Sequence, residues 1–447
     1  MMRLPLNIDR LKQKKFIYYF IAFLIFISLI PLSEPYEGAQ VQSNNLREAS
    51  DWWDLASPII PYIFRIDTQN EWRVFYGIIL FFVTLFFKKI LEVNVLSKTQ
   101  FLFFSLVFYL TAVFAIRGGR DGIAFALILF GLYMVQNLQS ENKYRFSKSV
   151  FIFFIFYVAF SFKIALLPLI VIGLYIYNSN KFRKKLLFFG SVVFLIVASM
   201  LFLTSSQLVS KYTKINKTFP AQQVMFYDLV SAYCWSIDKE VHKFVDDSLV
   251  IHNDNGLINQ DICKNLTPNG WDTLHSKDSL KSDNLLINKI SANDSSKFYE
   301  LQKAWITYIY KYPKVYFEVK SNFIGQVLFM NNAFERGDPI FSVESETLSG
   351  VFRSILLSPS KILDYVYAST YFFALGFCLV MLIQRRIIGS SIIILLIGMI
   401  TNLLSFVADN GRYALPYILL FWIVFLCQSL KASVGDRSIY LRTKGTL

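Results

Sequence analysis

The stretch from Phe101 to Gln136 reads FLFFSLVFYLTAVFAIRGGRDGIAFALILFGLYMVQ. Two apolar runs, 101–116 and 122–136, flank the charged turn Arg117-Gly118-Gly119-Arg120-Asp121-Gly122. A helix needs about 20 apolar residues to cross the ~30 Å hydrocarbon core of a bilayer, and both runs approach that length. The pattern is a pair of spans joined by a tight connection.

Comparable runs lie at 16–32, 74–87, 185–204, 365–384, 387–407 and 414–430. Composition agrees. Of 447 residues, 55% are hydrophobic and 17% charged, and the mean hydropathy is +0.44. A soluble domain needs more polar surface than that, so the expected fold is an all-α polytopic membrane protein. Disorder and collagen-like structure are excluded by the same numbers. In a soluble protein the net charge of +14 would point to nucleic acid, but here the apolar fraction argues against it.

The stretch 149–177 runs 29 residues with one charge, Lys163, and one proline, Pro168. Crossing twice, with a turn at Phe160-Ser161-Phe162-Lys163, it brings the total to about ten spans. Cytoplasmic loops collect Lys and Arg, which allows a test of that count. With both termini inside, the inner segments (Lys185 included) hold 21 basic residues against four acidic ones. The short outer loops then net −2 and the long segment 205–364 nets −1. A single crossing would move Lys181-Phe182-Arg183-Lys184-Lys185 to the outer face. The organisation is therefore spans 1–7 with a first outer loop 33–73 (1–204), a large, mostly helical or irregular outer segment (205–364), spans 8–10 (365–430) and a basic tail (431–447). Run 16–32 reads as a retained first span rather than a cleaved signal. Trp52, Trp53 and Trp72 flank spans 1 and 2 as interfacial anchors do, and Pro58–Phe64 suits a short helix lying in the headgroup plane.

Soluble-enzyme motifs are missing: there is no P-loop, no G-x-G-x-x-G after a strand, no H-E-x-x-H and no G-x-S-x-G. His242, His252 and His275 have no metal-ligand spacing, so no metal site is assigned, and a divalent cation is left open. Cys378 and Cys427 sit inside spans. Cys234 and Cys263 share the long outer segment and suit either a disulfide or two buried thiols.

The informative charges stand at the outer ends of spans, where ionisable groups are costly and tend to be functional or paired. Asp121 opens span 4, where the helix dipole favours an anion. It suits either a cap or a site acid. The arms around Lys163 have about 14 residues each, or ~21 Å at 1.5 Å per residue, which would hold Lys163 below the outer interface. Arg117, Arg120, Lys163 and Arg412 together could grip a phosphate or diphosphate. Glu34, Glu37, Asp51 and Asp54 in the first outer loop are the candidate bases, because glycosyl transfer needs a carboxylate to take the acceptor proton and cations to stabilise the leaving phosphate.

At these residues the chain resembles membrane glycosyltransferases of the C-type fold, which use polyprenyl-phosphate-linked sugars. Glu37, five residues beyond Leu32, matches the first-loop acid of that family, with Glu34 next. It departs from the commoner Asp and from an adjacent acidic pair. Arg120-Asp121-Gly122 leading into Ile123–Tyr133 is similar to a basic-Asp segment opening the fourth span. Trp305-x-x-Tyr308-Ile309-x-x-Tyr312-Pro313-x-x-Tyr316 resembles an outer-helix motif, and Arg412-Tyr413-x-x-Pro416 resembles a late Arg-Tyr-x-x-Pro element.

The resemblance implies sugar transfer onto a lipid-linked or lipopolysaccharide glycan of O-antigen type, on the periplasmic side of a bacterial inner membrane. Trp305, Tyr308 and Tyr316 would lie on the acceptor side, and membrane lipids would be the remaining partners. O-antigen or exopolysaccharide polymerases are the near rival, since Arg117–Leu132 resembles their Arg-rich turn before an Ile-Ala span. A non-catalytic lipid-glycan transporter ranks last, because it would show pseudo-repeats between halves.

Overall fold

The computed structural model describes residues 60, 63–66, 68–93, 98–117, 119–138, 145–162, 166, 169–170, 197, 221–249, 263, 295–329 and 416–426. Among these residues every regular element is a helix and none is a strand.

The first helix, α1 (Gln69–Val93), starts at a reciprocal cap. The Thr68 backbone N–H donates to Glu71 Oε2 at 2.7 Å, and the Glu71 N–H to Thr68 Oγ1 at 3.4 Å. Just before it, Arg65 takes a left-handed φ of 49°, which turns the chain from the short helical piece at Ile63 and Phe64 into α1. Helices α2 (Lys98–Arg117), α3 (Gly119–Leu138) and α4 (Arg145–Phe162) follow at short intervals. A further apolar helix, α9, covers Pro416–Leu426.

Contacts fix how these helices run. Phe87 of α1 meets Phe104 and Phe108 of α2 at 5.5 and 5.2 Å. Gly122 of α3 lies against the Phe114 and Ala115 carbonyls of α2, and Gly131 against the Phe156 ring of α4. Each pair matches an antiparallel hairpin folded at its own link. Phe82 of α1 stacks on Phe130 of α3 at 4.2 Å, as parallel neighbours would. The start of α1, the end of α2, the start of α3 and the end of α4 therefore share one end of the bundle. Trp422 of α9 rests on Phe103, near the opposite end of α2, at 5.5 Å.

Helix α3 is the hub. Ile123 through Ala126, Ile128, Leu129 and Leu132 are fully enclosed. Glycine at 122 and 131 and alanine at 124 and 126 let the neighbours close on it, much as small residues do between membrane helices. The outer helices also turn apolar side chains outward: Val74, Ile78 and Phe81 on α1, Leu102 and Leu106 on α2, and Val150, Phe151 and Phe154 on α4 are exposed. Their hydroxyls are satisfied within the helix, with Thr84, Ser105, Thr111 and Ser161 each donating to the carbonyl four residues back. Asn70–Leu91 (22 residues) and Thr99–Ile116 (18 residues) are long and apolar enough to cross a membrane, and Ser147–Phe162 is a shorter apolar helix.

Three expectations change here. The run 74–87 is the middle of a 25-residue helix, and Lys88 and Lys89 belong to that helix rather than to a loop. The arm before Lys163 starts at Arg145, so it has 18 residues and reaches ~27 Å. That removes the short-arm argument for a sunken Lys163. Trp72 is no surface anchor: it is 2% exposed and packs on Phe75 and Tyr76 at 5.7 and 6.1 Å.

A second cluster forms from the outer segment. Helices α5 (Ala221–Trp235), α6 (Lys239–Leu249), α7 (Ser295–Lys311) and α8 (Pro313–Phe329) pack around the buried side of α5. α6 contributes Val241, Val245 and Leu249, spaced by four residues on one face. Its start is capped by Asp238 Oδ1, which accepts from the Glu240 N–H at 2.9 Å. Pro313 opens α8 at the position where its missing N–H costs nothing. Cys234 and Cys263 form a disulfide, Cα to Cα 5.1 Å, which ties the end of α5 to a point 29 residues further on.

The two hub glycines differ in what an added methyl group would strike. Gly122→Ala meets backbone carbonyls that cannot move aside, whereas Gly131→Ala meets the edge of one ring. Thermal unfolding of the purified protein should show Gly122→Ala losing about 1–3 kcal/mol and Gly131→Ala less.

Candidate functional site

Two clusters of polar residues emerge, one in each part. The first stands at the shared end of the bundle. Arg117 is the last residue of α2, and Arg120 and Asp121 lie in the first turn of α3 one residue beyond the joint. Asp121 is only 3% exposed and Arg120 is half-buried. The free N–H groups of a helix start carry about half a positive charge, which favours an anion there. Arg73 of α1, half-buried and donating to Asn70 Oδ1 at 3.0 Å, stands at the same end. It was not among the sequence-assigned cations.

The other assigned residues of this group are not all described. Lys163 follows α4 directly and Arg412 precedes α9 by four positions, and both lie outside the described residues. So do Glu34, Glu37, Asp51 and Asp54. Among the described residues no group of three or more His, Cys, Asp or Glu gathers as a metal site would. His242 accepts a structural role: its Nε2 lies 2.7 Å from the Ser236 carbonyl and its ring 4.7 Å from that of Tyr233.

The second cluster has Asp228 at its centre. This carboxylate is fully buried in α5, yet each oxygen has a donor. Lys320 Nζ of α8 donates to Oδ1 at 2.6 Å, and Trp305 Nε1 of α7 donates to Oδ2 at 2.9 Å. The Lys320 ammonium also lies 5.6 Å from the centre of the Tyr316 ring, and the Tyr308 and Tyr316 rings meet edge to face at 6.0 Å. The aromatic motif Trp305, Tyr308, Tyr316 is thus gathered around one buried ion pair. Tyr308 is wholly enclosed, so its side chain belongs to the packing of this cluster and not to its surface. Trp305 and Tyr316 are half-buried.

Burial dominates the electrostatics. It raises the Asp228 pKa above the ordinary carboxylate value, with Lys320 and the two hydrogen bonds pulling the other way. Burial, followed by the Asp228 charge, pushes the Tyr316 phenol up to about 12 and raises Tyr308 further. The Tyr308 hydroxyl and Ser231 Oγ are buried with no hydrogen-bond partner among the described residues.

Asp228 and Lys320 were not singled out from the sequence. The available signal was one acid inside the apolar run Val224–Ala232, at a position that α5 turns inward. No protein-family model matches the chain, and no curated protein or solved structure matches it.

Removing one member of a buried ion pair leaves the other uncompensated and costs about 3–5 kcal/mol, whereas replacing both with apolar residues is often neutral. Asp228→Leu and Lys320→Met alone should each lower the unfolding temperature, and the double variant should recover most of the loss. The raised carboxyl also sets a pH dependence. A folded pKa above the unfolded one favours folding at low pH, and that contribution is lost as pH rises from about 4 through the folded pKa. The wild-type protein should show this loss in thermal unfolding, and the double variant should lack it.

Proposed function

We propose that the chain is a polytopic enzyme of a bacterial inner membrane. In this reading it has about ten spans and both termini in the cytoplasm, and it moves a sugar from a polyprenyl-phosphate carrier to a lipid-linked or lipopolysaccharide glycan on the periplasmic side. The membrane part is supported by the outward apolar faces of α1, α2 and α4 around an enclosed α3. Only an apolar surrounding accommodates a bundle that is hydrophobic inside and out.

The observation that carries the chemistry is the start of α3. Within five residues, Arg117 ends α2 and Arg120 and the buried Asp121 open α3. A lipid phosphate arriving laterally meets the helix dipole and the guanidinium groups of Arg117 and Arg120, with Lys163 and Arg412 as further cations. The acceptor hydroxyl attacks the anomeric carbon while the carbon–oxygen bond to phosphate breaks. Polyprenyl phosphate leaves with the electron pair, its charge held by these cations. The proton goes to a first-loop carboxylate, Glu37 first and Glu34, Asp51 or Asp54 next, and Asp121 completes the acidic set. The outer helices, with Trp305 and Tyr316 set by Asp228, cover the acceptor.

A second reading, joining of lipid-diphosphate-linked repeat units by a polymerase, draws on the same turn, since Ile123 and Ala124 directly after it are fully enclosed. The assay separates the two. Membrane vesicles are given a purified polyprenyl-phosphate sugar and a lipid-linked glycan. Addition of one sugar supports transfer, and chain extension from diphosphate-linked repeats alone supports polymerisation. Arg120→Ala should lower the rate about 10²–10³-fold, as loss of a charge-stabilising donor does. Glu37→Gln should abolish transfer at an unchanged protein level, and retained activity would exclude Glu37 as the base.

A further inference from the structure

We infer that helix α7 lies on the outer leaflet of the membrane and carries a docking face for it. The inference rests on the topology proposed above, in which 205–364 is held between the apolar runs 185–204 and 365–384. One side of α7 is committed to the protein core through Leu301, Trp305, Tyr308 and Ile309. The opposite side carries Tyr299, Lys303, Ile306 and Tyr310, which recur at intervals of four, three and four and so fall in one narrow stripe.

All four are exposed: Tyr299 by 67%, Ile306 by 52% and Tyr310 by 90%. A stripe of two phenols, one aliphatic side chain and a lysine turned away from the core suits a boundary between apolar and polar surroundings. Phe317 on α8 is 67% exposed as well, and Lys311 and Lys314 lie near the α7–α8 joint. Lys311 sits over the Phe244 ring of α6 at 5.9 Å. That contact brings the middle of α6 to the α7–α8 joint, and Ile237 in the turn before α6 is 99% exposed.

The composition of the face selects the occupant. Tyrosine, an aliphatic side chain and lysine together match the headgroup level, where phenol rings straddle the boundary and ammonium groups meet lipid phosphates. Glu300 and Glu318 lie off the stripe, and Lys314 reaches Glu318 at only 4.0 Å in full exposure. A convex stripe that includes isoleucine is a poor sugar cradle. Binding here would hold the outer helices flat on the bilayer, beside the cationic end of the bundle, where a lipid-borne acceptor arrives.

The test uses the full chain in nanodiscs containing anionic lipid, with Cys378 and Cys427 replaced by Ser. Single nitroxide labels are placed at Ile306→Cys and Tyr310→Cys. Phe81→Cys serves as a bilayer reference and Asp247→Cys, exposed on α6, as a water reference. Collision with oxygen against collision with a nickel chelate reports depth. Labels at 306 and 310 should fall between the references, at the headgroup boundary. If they match Asp247 while Phe81 reads as bilayer, the docking face is overturned and the membrane reading stands. If Phe81 itself reads as water, the membrane reading fails and the docking face with it. Immobilisation at 306 and 310 only on addition of a lipid-linked glycan would make the stripe an acceptor surface and would also overturn the inference.

Discussion

The contact of Gly122 with the carbonyl oxygens of Phe114 and Ala115 sets the distance between α2 and α3. Everything else in the bundle is arranged around that distance. Because the two backbones touch, α3 is drawn inward far enough for α1 and α4 to close on its other sides. Dispersion between closely apposed helices accumulates over many small contacts, and glycine and alanine are what permit the approach. The same proximity is what places two arginines and an aspartate together at one end.

Helices α5–α8 solve a different problem. A buried carboxylate is tolerated only when its lone pairs are matched, and Asp228 has an ammonium on one oxygen and an indole N–H on the other. Such a pair contributes little net stability, since desolvation offsets the Coulomb gain. What it contributes is specificity of assembly. Residues 77 and 92 positions away from Asp228 must arrive together for the pair to form, which fixes the register of α7 and α8 on α5.

Much of this was legible in the sequence. The charged turn between two apolar runs announced the α2–α3 hairpin, because length and hydropathy alone identify such helices. The motif from Trp305 to Tyr316, read as resembling an outer helix, falls across the end of α7 and the start of α8. Helix ends were less visible: Lys88 and Lys89 extend α1 because long cationic side chains can reach outward while the backbone stays helical, and α4 already starts at Arg145. Trp72 misled for a related reason, since composition cannot tell an aromatic ring facing lipid from one facing a neighbouring helix. Asp228 and Lys320 were hidden because partners so far apart in sequence leave no local pattern.

The joint between α2 and α3 is a single residue, whereas α1 and α4 connect to their neighbours through four and six residues. The backbone positions of Arg117 and Arg120, three apart in the chain, are therefore held close together across the joint. The other two links are longer, so of the three joins in α1–α4 this one leaves its helices the least freedom to part.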